Sequence, residues 1–248
     1  MYMQHIEIKY LFHSGFCVKI ENRLFLFDYF QEKKSQSKSD YQFPAMEYLP
    51  DIETIYVFAS HDHFDHFNSA IFQWKATIPN IQYIVSSDCK GIATDHDITI
   101  MHPYENVTLH DIKISTFGST DEGVSFLVDV AGIKIFHAGD LNWWHWMNES
   151  TTEEIDQAEK SFKSEIDKLP SNQIDLAFFP VDPRQGKLYY LGGEYFAEKA
   201  RPKLLIPMHF GEQYDVTQDF YQKIVHTKIA TVIISHKGQI IFYNKPEK

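Results

Sequence analysis

The chain has 248 residues, of which 44% are hydrophobic and 15% aromatic, enough apolar material for a sizeable core. Its formal net charge of -11 argues against a nucleic-acid partner, because such binding rests on clustered lysine and arginine; a small phosphorylated substrate held locally stays compatible. No apolar run reaches the length of a membrane span, and Cys17 and Cys89 are too few for a disulfide framework.

The segment Met1 to Tyr10 alternates polar and apolar residues and lacks the basic start and apolar core of a signal peptide. It reads as a first strand, and a cytoplasmic location is the default expectation. Strands are expected at Ile6 to Phe12, then Phe16 to Ile20 and Leu24 to Phe27 as a hairpin across Glu21-Asn22-Arg23. Cys17 lies inside this pattern, as a reduced buried thiol would. The polar stretch Gln31 to Asp40 reads as a surface loop. Ile55 to Ala59 is a buried strand, Asn68 to Lys75 a short helix that Pro79 helps to end, and Ile81 to Ser86 a further strand. Shorter strands follow within Ile98 to Phe117, then a hairpin from Val124 to His137.

Ser150-Thr151-Thr152-Glu153 has the spacing of a capping box, and Ile155, Ala158, Phe162, Ile166 and Leu169 follow at helical intervals with Pro170 beyond. This predicts an amphipathic helix packed on a sheet. A strand from Ile174 to Val181, helices at Glu194 to Ala200 and Thr217 to Val225, and a closing hairpin from Ala230 to Tyr243 complete the chain. No internal repeat or composition break is present, so residues 1–248 read as one domain. The order of strands and helices suits an α+β protein with two mixed sheets rather than a run of long βαβ units.

The densest chemistry is His61-Asp62-His63-Phe64-Asp65-His66, directly after the apolar run Ile55 to Ala59. Neutral imidazole and carboxylate are preferred ligands of zinc, manganese and iron. His61 and His63, two apart, can share one ion, and Asp65 and His66 then point to a second. Such a pair of ions makes hydroxide at neutral pH and polarises the bond to be cut. A histidine-rich turn with solvated side chains is the plainer alternative.

The pattern His61-x-His63-x-Asp65-His66 resembles the signature of the metallo-β-lactamase superfamily of binuclear metallohydrolases. The resemblance implies a four-layer αββα sandwich of two mixed sheets, with later ligands at strand ends. Two segments finish in that way, Gly132 to Asp140 and Lys203 to His209. By resemblance, Asp140 matches the carboxylate that bridges two metals, and His209 the last ligand to the ion held by Asp65 and His66. Independently, sheet proteins place ligands beyond the carboxyl ends of strands.

Family members usually supply one more histidine to the first ion, from a segment just before the hairpin that leads to the bridging aspartate. Here that segment, Ser115 to Gly123, contains none. Asp121, or a hydroxyl of Ser119 or Thr120, can substitute and give a harder site; His145 or His13 can reach in; or the first site is empty and one ion sits on Asp65, His66, Asp140 and His209. The cofactor expectation is one or two divalent ions, zinc first and manganese or iron as alternatives.

Around these residues, Trp143-Trp144-His145-Trp146 can wall a pocket, and Arg184 or Lys187 can clamp an anionic group. His13, Asp121, His145 and Arg184 are therefore the candidates to lie near substrate. No Gly-x-Ser-x-Gly elbow or glycine-rich phosphate loop is present. The expected activity is metal-dependent hydrolysis of a small ester, lactone or phosphodiester, with Asp65 orienting the attacking water. Within the superfamily, the short chain and the Pro207-Met208-His209 ending look most similar to the compact hydrolases related to ascorbate-phosphate lactonase. The alternative is a degenerate, non-hydrolytic metal-binding sensor or scaffold.

Overall fold

The computed structural model describes residues 4–30, 43–92, 97–146 and 149–245. Gln31 to Asp40, expected as a surface loop, lies outside them. Contacts divide the chain into two compact units, Met1–Met101 with His236–Lys248, and His102–Ser235. Each unit carries one seven-stranded mixed sheet, as the α+β reading expects.

In the first unit the strands are β1 (Gln4–Phe12), β2 (Gly15–Ile20), β3 (Arg23–Phe27), β4 (Thr54–Ala59), β5 (Ile81–Ser86) and β6 (Ile98–Met101), with the chain's last strand at the edge. Neighbours up to β3 are antiparallel, while β3, β4, β5 and β6 run parallel. The sequence explains the division. Leu24 to Phe27 and Ile55 to Ala59 are unbroken apolar runs buried throughout, the mark of parallel strands covered on both faces. β1 alternates instead. On one face, Leu24, Leu26, Ile55, Val57 and Tyr83 pack with Phe67, Ile71 and Trp74, the last two from a 3-10 helix at Ser69–Ala76. Asn68 caps that helix by accepting from the Ala70 N–H at 2.9 Å.

In the second unit, β7 (Asn106–Leu109), β8 (Ile112–Phe117), β9 (Ser125–Val130) and β10 (Ile133–His137) form an antiparallel meander. The tight turn Ala131-Gly132 has φ values of 49° and 77°, as a two-residue hairpin demands. The helices α1 (Thr152–Ile166), α2 (Leu191–Ala200) and α3 (Asp215–Ile224) are interleaved with β11 (Leu176–Pro180), β12 (Leu204–Met208) and β13 (Ala230–Thr231). β10 to β13 pair in parallel. Phe196 of α2 stacks on Phe136 and Phe179 of the sheet, with centroids 5.4 and 4.5 Å away.

Two expectations are corrected. The capping box is Thr151 with Glu154: the Thr151 hydroxyl accepts from the Glu154 N–H, and the Glu154 carboxylate from the Thr151 N–H at 2.7 Å. It lies one residue later than expected because Ser150-Thr151-Thr152-Glu153-Glu154 offers the same spacing twice, Ser150 with Glu153 and Thr151 with Glu154. The closing segment is not a hairpin. β13 pairs with β12 in the second unit, whereas β14 (Ile240–Lys245) pairs antiparallel with β1 in the first. Apolar residues at both ends of a polar stretch do not reveal which strand each will pair with.

Gly192, in the first turn of α2, is buried, and a Cβ there would stand 2.0 Å from Asn142 Oδ1 and 3.0 Å from the Trp143 backbone nitrogen. Asn142 cannot readily swing aside, because its side-chain amide donates to Gln185 Oε1 at 3.0 Å. Gly192→Ala is therefore expected to destabilise the protein by about 1–3 kcal/mol through overpacking. Urea unfolding measures this; an unchanged midpoint would mean that the 140–143 loop yields without cost.

Candidate functional site

In the first unit the signature follows β4, and its geometry is set by an aspartate that sequence reading did not single out. Asp28, at the end of β3, is fully buried with φ at 40°, a conformation that costs a non-glycine residue about 1 kcal/mol or more. It accepts from the Ser60 N–H at 2.8 Å and the Ser60 hydroxyl at 2.6 Å, and its Oδ2 lies 2.7 Å from His66 Nδ1. A carboxylate accepts, so His66 carries its proton on Nδ1 and presents Nε2 for ligation. Ser60 Oγ also lies 2.8 Å from His61 Nδ1.

His61 Nε2 and His63 Nδ1 are then 3.0 Å apart. His13, in the β1–β2 turn, places Nε2 3.4 Å from Asp65 Oδ2. Burial pushes the Asp65 carboxyl up, but the His13 contact and the charges of His66 and His13 outweigh it and hold the group well below the usual carboxylate range. Asp62 is turned to structural use. Its carboxylate accepts from the Lys90 N–H at 2.8 Å and pairs with the Lys90 ammonium at 3.1 Å.

In the second unit the parallel strands β11 and β12 end in step, Pro180 opposite Met208, and β10 ends two residues before them, His137 opposite Phe178. Beyond their ends lie Asp140, Asp182 and His209, all buried. His209 has φ at 68°. Its Nδ1 lies 3.1 Å from Asp182 Oδ2 and its Nε2 3.2 Å from Asp140 Oδ1. Arg184 grips Asp182 with three contacts, from Nε at 3.0 and 2.9 Å and from Nη2 at 2.5 Å. Burial pushes the Asp182 carboxyl up, but the bonds from His209 and Arg184 prevail and bring it down to about 2. Burial likewise opposes a charged His209, but Asp140 and Asp182 reverse the balance and raise it to about 10.

The segment that lacks the further histidine is accounted for. Thr120 accepts from the Asn142 N–H at 3.0 Å, and its hydroxyl lies 2.6 Å from the Asn142 carbonyl. Ser119 accepts from the Asp121 N–H, and Asp121 is exposed. Among the described residues, no cluster with ligand spacing contains Asp121 or His145. His145 instead lines a pocket of about 390 Å³ with Trp146, Glu149, Arg184, Gln185 and Lys187. Trp144 and Trp146 stack with their planes 4° apart, and Trp144 meets His209 edge-on at 5.6 Å.

These donors fit a divalent cation. Two ligands about 2.1 Å from one ion stand about 3.0 to 3.4 Å apart at octahedral or tetrahedral angles, the range spanned by His61 with His63 and by His13 with Asp65. At His66 and His209 the second ring nitrogen is held by a buried carboxylate, the usual support of a metal-ligating imidazole. Asp28 and Asp182 were legible in principle. Each follows an apolar strand run, the signal that pointed to Asp140.

The profile of a family described as "Beta-lactamase superfamily domain" matches residues 7–159. The chain belongs to the metallo-β-lactamase superfamily. Within it, a UPF0173 metal-dependent hydrolase of Heliobacterium modesticaldum is 26% identical over 182 residues, 66% of this chain and 68% of that protein. Among solved structures, Igni18, a metallo hydrolase of Ignicoccus hospitalis, has a TM-score of 0.64 at 17% identity and covers 96% of this chain and 98% of its own. The metallo-β-lactamase fold protein YhfI of Bacillus subtilis has a TM-score of 0.59 at 12% identity, covering 97% and 100%. At these identities the likeness shows the shared fold.

The paired shifts of His209 and Asp182 set a pH window for the metal-free protein. A histidine raised from 6.5 to about 10 contributes stability that is complete below 6.5 and lost as pH rises through 10. An aspartate lowered from 3.8 to about 2 contributes stability present above 3.8 and lost as pH falls through 2. Chelator-treated protein is expected to melt highest between these limits, near pH 4 to 6.5. In His209→Gln the alkaline decline flattens. Melting temperatures across pH check this, and an alkaline limb identical in the variant would refute it.

Proposed function

We propose that this chain is a metal-dependent hydrolase acting on a small ester, lactone or phosphodiester. In this reading the ligands that the signature and the strand ends point to, His61, His63, Asp65, His66, Asp140 and His209, hold one or two divalent ions, zinc first among them. The observation that carries the reading is the repeated pairing of a ligand-type histidine with a buried carboxylate, His66 with Asp28 and His209 with Asp182. A solvated histidine-rich turn has no reason to bury an aspartate behind one ring. The family membership and the name of the Heliobacterium relative support the same reading.

When bound, the ions supply hydroxide at neutral pH and polarise the scissile bond. The protein's own groups do the positioning. Asp65, kept ionised by its neighbours, orients the attacking water by accepting a hydrogen bond from it. Asp28 and Asp182 fix the rings of His66 and His209. The pocket beside Arg184, at about 390 Å³, suits a small molecule, and Trp146 supplies an apolar wall. Aqueous ester and phosphodiester groups need no further cofactor, and a water-activating site dispenses with a serine or cysteine nucleophile. A location in the cytoplasm fits the reduced thiols of Cys17 and Cys89, both buried and unbonded.

The second reading, a metal-binding sensor or scaffold without turnover, is favoured by one observation, the Ser115 to Gly123 segment without a histidine. Metal-loaded protein assayed on generic lactone and phosphodiester substrates separates the two. Hydrolysis that a chelator abolishes, and that Asp65→Ala lowers by at least about a hundredfold, is the expected result. Tight metal binding with silence on every substrate would favour the sensor. Elemental analysis is expected to show that His61→Ala keeps one ion while Asp65→Ala loses the tighter one; loss of all metal in His61→Ala alone would reverse that order. Asp28→Asn and Asp182→Asn are each expected to weaken metal affinity about 10- to 100-fold, read by competition with a chromogenic chelator.

A further inference from the structure

We propose that His13 is itself a metal ligand, joining the ion assigned to Asp65 and His66 and not the first ion beside His61 and His63. This rests on the metal-centre reading above. His13 lies 48 or more residues before the signature, in a different hairpin, and the sequence left open whether it fills the position of the missing histidine.

The fold answers the placement. The β1–β2 turn is held from beneath by Tyr10, a fully buried residue whose hydroxyl accepts from the His13 N–H at 2.8 Å. Gly15 allows the turn to lie against the end of β3, where a Cβ would stand 3.0 Å from the Phe12 carbonyl and 3.2 Å from that of Asp28. Phe30 meets the His13 ring edge-on at 6.2 Å. The imidazole is thus fixed by backbone, hydroxyl and aromatic contacts, with its side chain only 12% exposed.

In that setting its ring stands perpendicular to His66 at 5.7 Å between centroids, and Nε2 reaches toward Asp65. One ligand atom each from His13, Asp65 and His66 lie within 4.8 Å of one another. The 3.4 Å between His13 Nε2 and Asp65 Oδ2 exceeds the roughly 2.8 Å of a charge-assisted hydrogen bond and equals the spacing of two donors around one tetrahedral ion, about 3.4 Å. No group of ligand spacing among the described residues joins His13 to His61 or His63. His13 therefore adds to the better-supplied ion and leaves the first ion short.

A histidine that merely props Asp65 by a hydrogen bond would also weaken metal binding when removed, so affinity alone does not decide. Cadmium NMR on protein carrying nitrogen-labelled histidine does, because only a coordinated ring nitrogen couples to the metal. The expected result is coupling from His13 Nε2 together with that of His66, lost for His13 in His13→Gln while His66 retains it. The count of coupled imidazoles in the wild-type protein gives the same answer if the variant fails to fold. Coupling at His66 with His13 Nε2 still carrying a proton would overturn this inference and leave the metal reading intact. No coupling at any imidazole would overturn the metal reading itself. In cobalt-loaded protein, His13→Gln is expected to intensify the visible absorption, as a lower coordination number does, and to weaken affinity at least about tenfold.

Discussion

A carboxylate taken out of water must be met by donors or by a cation, and the two aspartates that meet this demand organise the chemistry of the chain. Asp28 is satisfied by the Ser60 N–H, the Ser60 hydroxyl and His66. Asp182 is satisfied by Arg184 and His209. Each cost of burial is offset by charge-assisted bonds, and each bond fixes the tautomer and rotation of an imidazole. In the metal-free protein His209 lies between Asp140 and Asp182, and its proton is held to about pH 10. A positive charge is required there whichever form it takes, a proton in the metal-free protein and, under the proposed ligand set, a divalent ion. Metal binding and proton binding at this ring are thus competing answers to one electrostatic demand.

Much of this was legible in the sequence where hydrophobic runs and ligand-type residues coincide. The buried runs Leu24 to Phe27, Ile55 to Ala59 and Leu204 to Met208 gave strands within a residue or so of the observed ones, and the ligand candidates sit just past them. Asp28 and Asp182 occupy equivalent places yet carry no ligand signal of their own, because an isolated aspartate after a strand reads as a turn residue. Only the partner that it faces gives it meaning, and Ser60 and His66 are more than thirty residues away from Asp28. The closing strands failed for a related reason. Period and apolarity show that Ile240 to Tyr243 is extended, but whether it adds to β1 or to its sequence neighbour is a matter of pairing, which local pattern does not encode.

The segment before the β9–β10 hairpin spends its side chains on structure rather than on ligation. Thr120 binds the backbone of Asn142, and Gln185 accepts from the Asn142 amide while donating to the Trp143 carbonyl at 2.7 Å. The loop that bears Asp140 is therefore clamped from several sides by short polar side chains. These contacts leave the Thr120 hydroxyl committed to structure, and the exposed Asp121 stays apart from the ligand groups. The same loop is held further by the Trp144 indole N–H, which donates to the Asp140 carbonyl at 2.9 Å.

Unequal supply has a chemical consequence. Under the proposed ligand set the first ion draws on two imidazoles and a shared carboxylate, whereas the second draws on Asp65, His66, His209 and the same carboxylate. Each has two imidazoles in that set; the second adds the Asp65 carboxylate and, by the inference above, the His13 imidazole, so it would bind the more tightly and fill first. An ion with open coordination positions is the better Lewis acid toward substrate, since closed sites are structural and open ones catalytic. The missing histidine would then argue for chemistry at the poorer site rather than against it, with Asp65, His66 and His13 as the residues that would hold the richer one.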